Sequence, residues 1–404
     1  MPDKLQAVPV AENVFWVGAI DWAIREFHGY ATGRGTTYNA YLLTGGKVVL
    51  IDTVKAPFQD EMLARIASVI EPGRIDYIVS NHSEMDHTGC LPAVAKAVAA
   101  EKVFASRNGA KALEAHFHGA VKVAAVADGQ ELDIGGDKLT FLETRMCHWP
   151  DSMVSYLHGR RLLFSQDVFG MHLATAERFD DELPRWLLDG EEATYYANIL
   201  LPLSKFVARA LDKLSGSGLA LDVIAPDHGP VWRSDPAHVV DLYRRWAAGH
   251  RTARAVIVYD TMWQSTAKMA SALADGLAGA GAGVDVLPVG SRDRSTVATK
   301  VLEAGALLVG SPTINQQIFP TVADVLCYLK GLAPQGLIGL AFGSYGWGGE
   351  STKLLAAELD AMGVEQVAEP IRAQYVPSDE DLSRCREAGA VVAARLLEKY
   401  PPNG

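Results

Sequence analysis

The sequence predicts a two-domain α/β protein, with one domain spanning residues 1–250 and the other residues 251–404. First, 404 residues are more than one ordinary hydrophobic core organises. Second, the first 250 residues contain short β-branched runs separated by turns, with few helical patterns. Third, strand and helix patterns alternate regularly after residues 249–254, which is typical of a doubly wound parallel sheet.

Short apolar runs that end at turn or polar residues predict the strands of the first domain. A helix is predicted from Leu91 to Ala100, with Pro92 in its first turn. A second helix is predicted to begin after the capping residue Ser234 and to end near Ala248. The predicted strands span residues 47–51, 77–79, 139–144, 153–157, 161–164 and 221–225.

The second domain is predicted to alternate strands with amphipathic helices, two of which cover residues 266–278 and 351–362. In the doubly wound strand order 2-1-3-4-5, the first and third strands flank the point where the connections reverse. Ligands bind at the carboxyl edge of such a sheet at that point, so the loops there are candidate binding loops. The predicted strands span residues 255–259, 284–287, 306–309, 338–342 and 365–368.

Composition limits the partners and the compartment. Lys and Arg number 37 and Asp and Glu 48, which gives a formal net charge of −11. An acidic surface argues against nucleic acid and against an anionic membrane surface as partners. The four cysteines form no Cys-x-x-Cys pair, which argues against a disulfide framework and a rubredoxin-type iron site. The scattered cysteines therefore indicate a reduced, cytoplasmic protein. No apolar run approaches the ~20 residues of a membrane helix.

Two imidazoles and two carboxylates lie within six residues, just after the predicted strand 77–79. They are His82, Glu84, Asp86 and His87. Burying such groups together is costly without a cation, so the cluster predicts a metal site. Glu84 stands where a zinc hydrolase of similar pattern has a third histidine. A carboxylate-rich site of nitrogen and oxygen ligands suits iron or manganese better than an all-imidazole site does.

Three further candidate ligands follow predicted strands, namely His148, Asp167 and His228. Strand ends on one rim of a sheet converge, so ligands distant in sequence can meet there. Seven ligands with one shared carboxylate would hold two metal ions, each with an open position for substrate. Asp52 is interpreted as a structural carboxylate. The other histidines considered are interpreted as surface or core residues: His116, His118, His158, His172, His238 and His250.

Three loops of the second domain, at residues 260–266, 310–315 and 343–349, resemble the FMN-binding loops of flavodoxins, which implies an FMN site. Hydroxyls and free N–H groups at the start of the first helix could cradle a phosphate, although this loop alone fits an ordinary capped turn equally well. Glycines in the third loop would let the backbone approach the flavin, and Tyr345 or Trp347 would stack on it. Dinucleotide and Walker A fingerprints are absent from the sequence. The candidate contacts are Thr261, Met262, Trp263, Ser265, Thr266, Ser311, Pro312, Thr313, Ile314, Asn315, Gly343, Ser344, Tyr345, Gly346, Trp347 and Gly348.

The pattern His-x-Glu-x-Asp-His, followed after 60, 18 and 60 residues by His, Asp and His, resembles the flavodiiron proteins. The resemblance covers essentially the whole chain. It implies an N-terminal metallo-β-lactamase-like αββα sandwich fused to a C-terminal flavodoxin-like doubly wound sheet. It also implies that one iron is bound by His82, Glu84 and His148 and the other by Asp86, His87 and His228, with Asp167 as the bridge.

The resemblance further implies that His28 and Tyr195 line the substrate pocket without being firm ligands. It implies an oxidoreductase that passes electrons from rubredoxin or a similar donor through FMN to two irons, reducing dioxygen to water or nitric oxide to nitrous oxide. Because the chain has no Cys-x-x-Cys pair, we expect the donor to be a separate molecule. A head-to-tail homodimer, or a dimer of dimers, is also implied.

Three other functions stay open at the level of sequence. A metal-dependent hydrolase with a regulatory flavodoxin domain is one, but Glu84 and a complete flavin site argue against it. A non-catalytic electron carrier or gas sensor is another, and the full ligand set argues against it. The third is an oxidase that takes electrons from a reduced deazaflavin coenzyme directly at the FMN.

Overall fold

The computed structural model of the protein describes residues 5–291 and 293–401, which form two compact units. The first unit runs to Tyr195 and includes Lys205–Arg244. The second unit contains Tyr196–Ser204 and the chain from Arg245 onward. The domain boundary near residue 250 stays a proposal, and the segment Tyr196–Ser204 is where the observed grouping differs from it.

Side-chain hydrogen bonds explain why this short segment groups with the second unit. The Asn198 amide donates to the backbone oxygen of Ser295 at 3.4 Å and accepts from the Tyr328 hydroxyl at 2.8 Å. Sequence periodicity carries no signal for such contacts between residues more than 90 positions apart.

The first unit begins with many short strands. In chain order these are β1 (Val8–Ala11), β2 (Val14–Trp16), β3 (Ala19–Asp21), β4 (Glu26–Phe27), β5 (Tyr30–Ala31), β6 (Thr36–Tyr38), β7 (Tyr41–Leu43), β8 (Val49–Ile51), β9 (Tyr77–Ser80), β10 (Lys102–Ser106) and β11 (Val123–Val126). The first sheet has the order β1-β2-β7-β8-β9-β10-β11, while β3 pairs with β6 and β4 with β5. The helices in this part are α1 (Gln59–Ala67), α2 (Met85–Thr88), α3 (Leu91–Ala97) and α4 (Arg107–Phe117).

A second sheet completes the first unit. Its strands, in spatial and chain order, are β12 (Glu131–Asp133), β13 (Lys138–Glu143), β14 (Met153–Leu157), β15 (Leu162–Gln166) and β16 (Val223–Pro226). The pairs are antiparallel except β15 with β16, which is parallel. The accompanying helices are α5 (Arg185–Tyr195), α6 (Ser204–Gly216) and α7 (Pro236–Ala247).

Alternation along buried strands builds two apolar layers. In β8, Val49 and Ile51 pack into a core shared by the two sheets, and Leu50 packs on the other side with residues of α1, α3 and α4. Successive strand side chains point to opposite faces, so a continuous apolar run is what a sheet covered on both faces requires. Helices, first sheet and second sheet are therefore stacked layers, and the site lies at the strand ends.

The second unit is a parallel sheet of β17 (Thr252–Tyr259), β18 (Gly283–Pro288), β19 (Ala304–Pro312), β20 (Ile338–Tyr345), β21 (Glu365–Gln366) and β22 (Ile371–Gln374). The order is β18-β17-β19-β20, with β21 and β22 both paired to β20. This is the predicted order 2-1-3-4-5, and the doubly wound fold is confirmed. The helices are α8 (Ser265–Gly279), α9 (Arg294–Val301), α10 (Pro320–Leu332), α11 (Glu350–Ala361) and α12 (Asp379–Lys399).

The fifth strand differs from its prediction. Residues 365–368 were expected to be one strand, but pairing with β20 stops at Gln366 and resumes at Ile371. Pro370 lies in the gap and has no N–H to donate to a ladder, which explains the break. Across the described residues, the helices are all too short or too polar to cross a bilayer.

Candidate metal centre and flavin loops

All seven predicted ligands lie at the carboxyl ends of strands in the first unit. The segment after β9, including α2, carries His82, Glu84, Asp86 and His87, and His148 lies between β13 and β14. Asp167 follows β15 directly and His228 follows β16 by two residues. The ligand atoms form groups whose members lie within 4.8 Å of one another.

One group consists of His82, Glu84, His148 and Asp167. The Glu84 Oε2 atom lies 3.1 Å from Nε2 of both His82 and His148. The Asp167 Oδ2 atom lies 3.3 Å from Nε2 of His82 and 2.9 Å from Nε2 of His148. Two imidazoles and two carboxylates therefore converge on one point.

The other group consists of Asp86, His87 and His228, and Asp167 also reaches it. The Asp86 Oδ2 atom lies 3.4 Å from Nε2 of His87 and 3.3 Å from Nε2 of His228. The Asp167 Oδ1 atom lies 3.1 Å from the same nitrogen of His87 and 3.6 Å from that of His228. Asp167 thus presents one oxygen to each group, which is the placement of a bridging carboxylate.

Electrostatics in this cluster favour cations. Burial alone would lower the pKa of the imidazoles, but the carboxylates outweigh it. The pKa of His87 rises to about 10 through Asp86, Asp227 and Asp167. The pKa of His82 rises through Asp167 and Glu84. Burial would raise the pKa of Asp167, yet His82 and His87 hold it well below its usual value. The carboxylates stay anionic and attract positive charge.

The hydrogen-bond inventory also fits a metal. Both carboxylate oxygens of Asp86, the Nε2 atom of His87 and Oδ1 of Asp167 are buried and make no hydrogen bond within the described residues. Buried polar atoms are normally paired, so convergent ligand atoms without hydrogen bonds fit the coordination of a cation. Imidazole and carboxylate ligands of this number suit a pair of irons or manganese ions.

Groups behind the ligands orient the imidazoles. The Nδ1 atom of His228 lies 2.6 Å from the backbone oxygen of Thr37. The Nδ1 atom of His87 lies 3.7 Å from Oδ2 of Asp227. Asp227 was missed in the sequence, although its position immediately before His228 was a usable signal.

Three buried side-chain amides connect the ligand segments. The Asn39 amide donates to the backbone oxygens of Pro226 at 2.7 Å and Gly229 at 2.9 Å, on either side of His228. Gln166 donates to the backbone oxygen of Cys147, next to His148, and accepts from the Asp167 N–H at 2.7 Å.

The third amide belongs to Asn81, next to His82. Its backbone N–H and side chain donate to the two oxygens of Asp52, at 2.7 and 2.8 Å. Asp52 is fully buried, and burial raises its pKa to about 6 against the lowering effect of the Asn81 bonds. Its contacts are those of a carboxylate that holds the ligand segment in place.

His28 and Tyr195, the predicted pocket residues, both lie beside the cluster. The His28 Nε2 atom is 2.6 Å from Glu84 Oε1, whereas His82 and His148 contact Oε2, and the His28 side chain is 65% exposed. Tyr195 is buried, and its ring centre lies 6.2 Å from that of His228. The roles of both residues stay proposals.

His172, interpreted from sequence as an ordinary surface or core histidine, is a buried neighbour of the site. Its ring centre lies 4.6 Å from that of His228, and its Nδ1 atom lies 2.7 Å from the Thr36 hydroxyl. Its Nε2 atom makes a short contact with the Tyr30 hydroxyl. The sequence around His172 offers no signal for this position, because its partners lie more than 130 residues away.

The three predicted flavin loops lie together at the carboxyl edge of the second sheet. The Thr266 hydroxyl, at the start of α8, lies 2.8 Å from the Ser344 hydroxyl after β20. The Thr313 N–H donates to the backbone oxygen of Ser344 at 2.9 Å. The Thr261 hydroxyl is buried and makes no hydrogen bond within the described residues, so this loop has a donor for a phosphate oxygen.

Two aromatic side chains of these loops are almost fully exposed. Trp263 is 88% exposed and Trp347 is 96% exposed, so both are available to stack on a flavin ring. Met262 is 44% exposed in the same first loop. Large exposed aromatic side chains without a packing role are typical of a binding surface.

Gly343 lies against the neighbouring strand, and its predicted contact with the flavin stays a proposal. A Cβ atom there would lie 2.3 Å from the backbone oxygen of Ser311, so close packing of the neighbouring strand requires glycine. At Gly346 the atom nearest to an added Cβ, on the Tyr375 ring, would be 3.6 Å away, which is an ordinary van der Waals distance. The remaining candidates, Ser265, Pro312, Ile314, Asn315, Tyr345 and Gly348, lie on or beside the same loops.

Comparisons with known proteins agree with both halves of the chain. Residues 36–229 match the model of a family described as the ODP family beta lactamase. Residues 257–389 match the flavodoxin family. The predicted metallo-β-lactamase-like and flavodoxin-like folds are therefore confirmed.

Relatives match over nearly the whole chain. A nitric oxide reductase of Moorella thermoacetica is 45% identical over 97% of this chain and 100% of its own length. The solved rubredoxin oxygen:oxidoreductase of Desulfovibrio gigas is 44% identical, with a TM-score of 0.95 over 98% of this chain and 99% of its own. The flavodiiron protein of Giardia intestinalis is 32% identical, with a TM-score of 0.95 over 99% of this chain and 100% of its own. The chain therefore belongs to the flavodiiron protein family.

Proposed function

We propose that this flavodiiron protein is a terminal oxidoreductase that takes electrons from a separate donor and reduces dioxygen to water, nitric oxide to nitrous oxide, or both. The observation that carries the proposal is Asp167, whose two oxygens each face one group of imidazole and carboxylate ligands. The flavin loops of the same chain supply a second redox site.

Separate sets of residues would bind the diiron centre and the FMN. Asp86, His87 and His228 would hold one iron, His82, Glu84 and His148 the other, and Asp167 would join them. Thr261 and the N-terminus of α8 would bind the phosphate of FMN, with Trp263 or Trp347 against its ring. The irons and the flavin supply the electron transfer and the open positions for the gas.

Glu84 supports redox chemistry over hydrolysis. The imidazoles of His148 and His82 hold the pKa of Glu84 well below its usual value despite burial, so it stays an anionic ligand. An anionic ligand stabilises the higher oxidation state of iron, whereas a hydrolytic zinc site gains from neutral imidazoles that leave the metal more electrophilic. Family membership favours the same choice.

The partner and the assembly are part of the proposal. Rubredoxin, or a protein like it, is the proposed electron donor, because one relative is named rubredoxin oxygen:oxidoreductase. A head-to-tail homodimer, or a dimer of dimers, is proposed, and the 50% exposed Met85 next to Glu84 supports an interface near the site. Four free cysteines support the cytoplasm as its compartment.

Donor-driven gas consumption tests this function. We expect protein loaded with iron and FMN to oxidise reduced rubredoxin only when dioxygen or nitric oxide is present, without release of hydrogen peroxide. A reduced deazaflavin coenzyme tested in parallel shows whether the FMN accepts electrons from that donor instead. Ester hydrolysis without gas consumption would contradict the proposal.

A further inference from the structure

Reduction of either gas consumes protons as well as electrons. Each dioxygen takes up four electrons and four protons to give two waters, and two nitric oxide molecules take up two of each to give nitrous oxide and water. Most of the metal ligands, including Asp167 and His228, are buried, so a proton that reaches their inner side must cross the protein. The following inference about that route rests on the proposed function.

Glu192 is a buried carboxyl group that the proposed reaction has not used. It lies on α5 and is 0% exposed, and neither carboxyl oxygen makes a hydrogen bond of ordinary geometry within the described residues. Burial raises its pKa well above the usual value; the Tyr243 hydroxyl opposes this and Asp189 adds to it. Burial therefore favours the protonated form of Glu192, which can hold a proton inside the protein.

Position on the helix places Glu192 between the surface and the site. Asp189, Glu192 and Tyr195 are spaced three residues apart on α5, so they follow one face of the helix, about one turn from one to the next. Only the outer end of this row is exposed: the Asp189 side chain is 38% exposed, whereas Glu192 and Tyr195 are buried, at 0% and 2%.

Helix α7 lines the same row. At the outer end, the His238 Nε2 atom lies 2.7 Å from Asp189 Oδ1, and the His238 side chain is 29% exposed. Further in, Tyr243 of α7 lies close enough to Glu192 to change its pKa. Asp189 and Glu192 thus each lie beside a group of α7 that can accept or donate a proton.

The inner end of the row reaches the metal ligands. The Tyr195 ring centre lies 5.1 Å from that of His172 and 6.2 Å from that of the ligand His228. Burial raises the pKa of the Tyr195 hydroxyl, and the charges of Asp167 and Tyr243 raise this pKa further.

We propose that His238, Asp189, Glu192 and Tyr243 form the path by which protons enter the gas-reduction site. A proton bound at the His238–Asp189 pair moves to Glu192 as the Glu192 proton leaves through the Tyr243 and Tyr195 hydroxyls. Each transfer breaks one O–H or N–H bond and forms another, so Glu192 ends in its starting state. Glu192 touches neither metal nor gas, so it is a relay residue.

The variant Glu192→Gln tests the path, because the amide keeps the size and neutrality of the side chain but cannot pass a proton on. In the protein loaded with iron and FMN, we expect gas turnover to fall about tenfold to a hundredfold. The solvent isotope effect measured in D₂O should rise, whereas iron content, FMN content and the rate of flavin reduction should not change. A purely structural role of Glu192 would leave the isotope effect unchanged.

Glu191→Gln is the matched control, because the neighbouring Glu191 pairs with Arg34 at 2.9 Å, outside the row. Its turnover should match the parent protein. Tyr243→Phe, which keeps the ring, provides a second variant and should slow turnover in the same direction. Parental turnover and isotope effect in both Glu192→Gln and Tyr243→Phe would overturn the path. Absence of gas turnover in the parent protein would instead overturn the proposed function.

Discussion

At the scale of single residues, Asp167 joins the two ligand groups, since Oδ2 faces His148 at 2.9 Å and Oδ1 faces His87 at 3.1 Å. We expect Asp167→Asn to retain less than about one iron per chain instead of about two, because an amide loses the charge that both positions share. Iron analysis measures this. The flavin content and the rate of FMN reduction by the donor should stay at parental values.

The exposed Asp60 of α1 offers a control for this variant, since Asp60→Asn changes the same charge away from the site. If Asp167→Asn kept about two irons and full gas turnover, Asp167 would not be the bridge.

Replacing Asn39 should weaken iron binding first at the position that includes His228. Its amide group is fully buried and fixes the backbone before and after His228. We expect Asn39→Asp, which keeps the acceptor for the Trp16 indole but removes both donors, to lower the free energy of unfolding by about 1–3 kcal/mol. The iron held by His228 should be lost before the other.

Iron titration and Mössbauer spectroscopy can follow the two positions of this variant separately. The control is Tyr41→Phe, which removes a single hydrogen bond to the backbone oxygen of Pro226. Equal loss from both iron positions in Asn39→Asp would contradict a local role for Asn39.

At the scale of elements, the buried Glu192 of helix α5 lowers the stability of the folded protein by an amount that depends on pH. An unfolded glutamate titrates near ~4.3, but the folded pKa of Glu192 is raised by burial. Above ~4.3 the unfolded chain releases this proton while the native protein keeps it, so the native state loses stability as pH rises towards the folded pKa. Below ~4.3 both states are protonated and the cost disappears.

Glu192→Gln removes this titration. We therefore expect its unfolding midpoint to increase relative to that of the parent protein as pH rises from about 4 to about 8. Parallel thermal melts of both proteins across this range measure the difference. A difference that stays constant with pH would show that Glu192 is ionised in the folded state.

Elements were predictable where burial on both faces gives an apolar run. The strands around Ile51, Ile78 and Leu340 were predicted for this reason, and β19 and β20 only extend a few residues further into their loops. The strands β1 to β7 were not predicted, because segments as short as Glu26–Phe27 have too few residues to show a pattern. The two-part fifth strand depends on Pro370 and on pairing with β20, which sequence alone does not reveal.

Within the site, the charged metal ligands were predictable from the sequence, but the residues that hydrogen-bond the ligand segments were not. His82, Glu84, Asp86 and His87 stand out because such residues rarely cluster by chance. Asn39 does not stand out in the sequence, because amide side chains are common throughout proteins. Its hydrogen-bond partners at residues 226 and 229 lie nearly 190 positions away. Residues that act through long-range hydrogen bonds therefore need the fold.

At the scale of the whole molecule, metal ligands and flavin loops belong to different compact units. We expect a chelator that removes iron from the reduced protein to abolish gas turnover while FMN is retained and still accepts electrons from the donor. Flavin absorbance and iron analysis of the same sample measure both outcomes. Loss of flavin together with iron would show that the two sites depend on each other.

The most direct test of the central claim is the iron and flavin content of the purified, fully loaded chain. The ligand count and the three flavin loops predict about two irons and one FMN per chain. Zinc alone in the metal site, or the absence of flavin, would contradict the assignment of this protein as a flavin-fed diiron reductase.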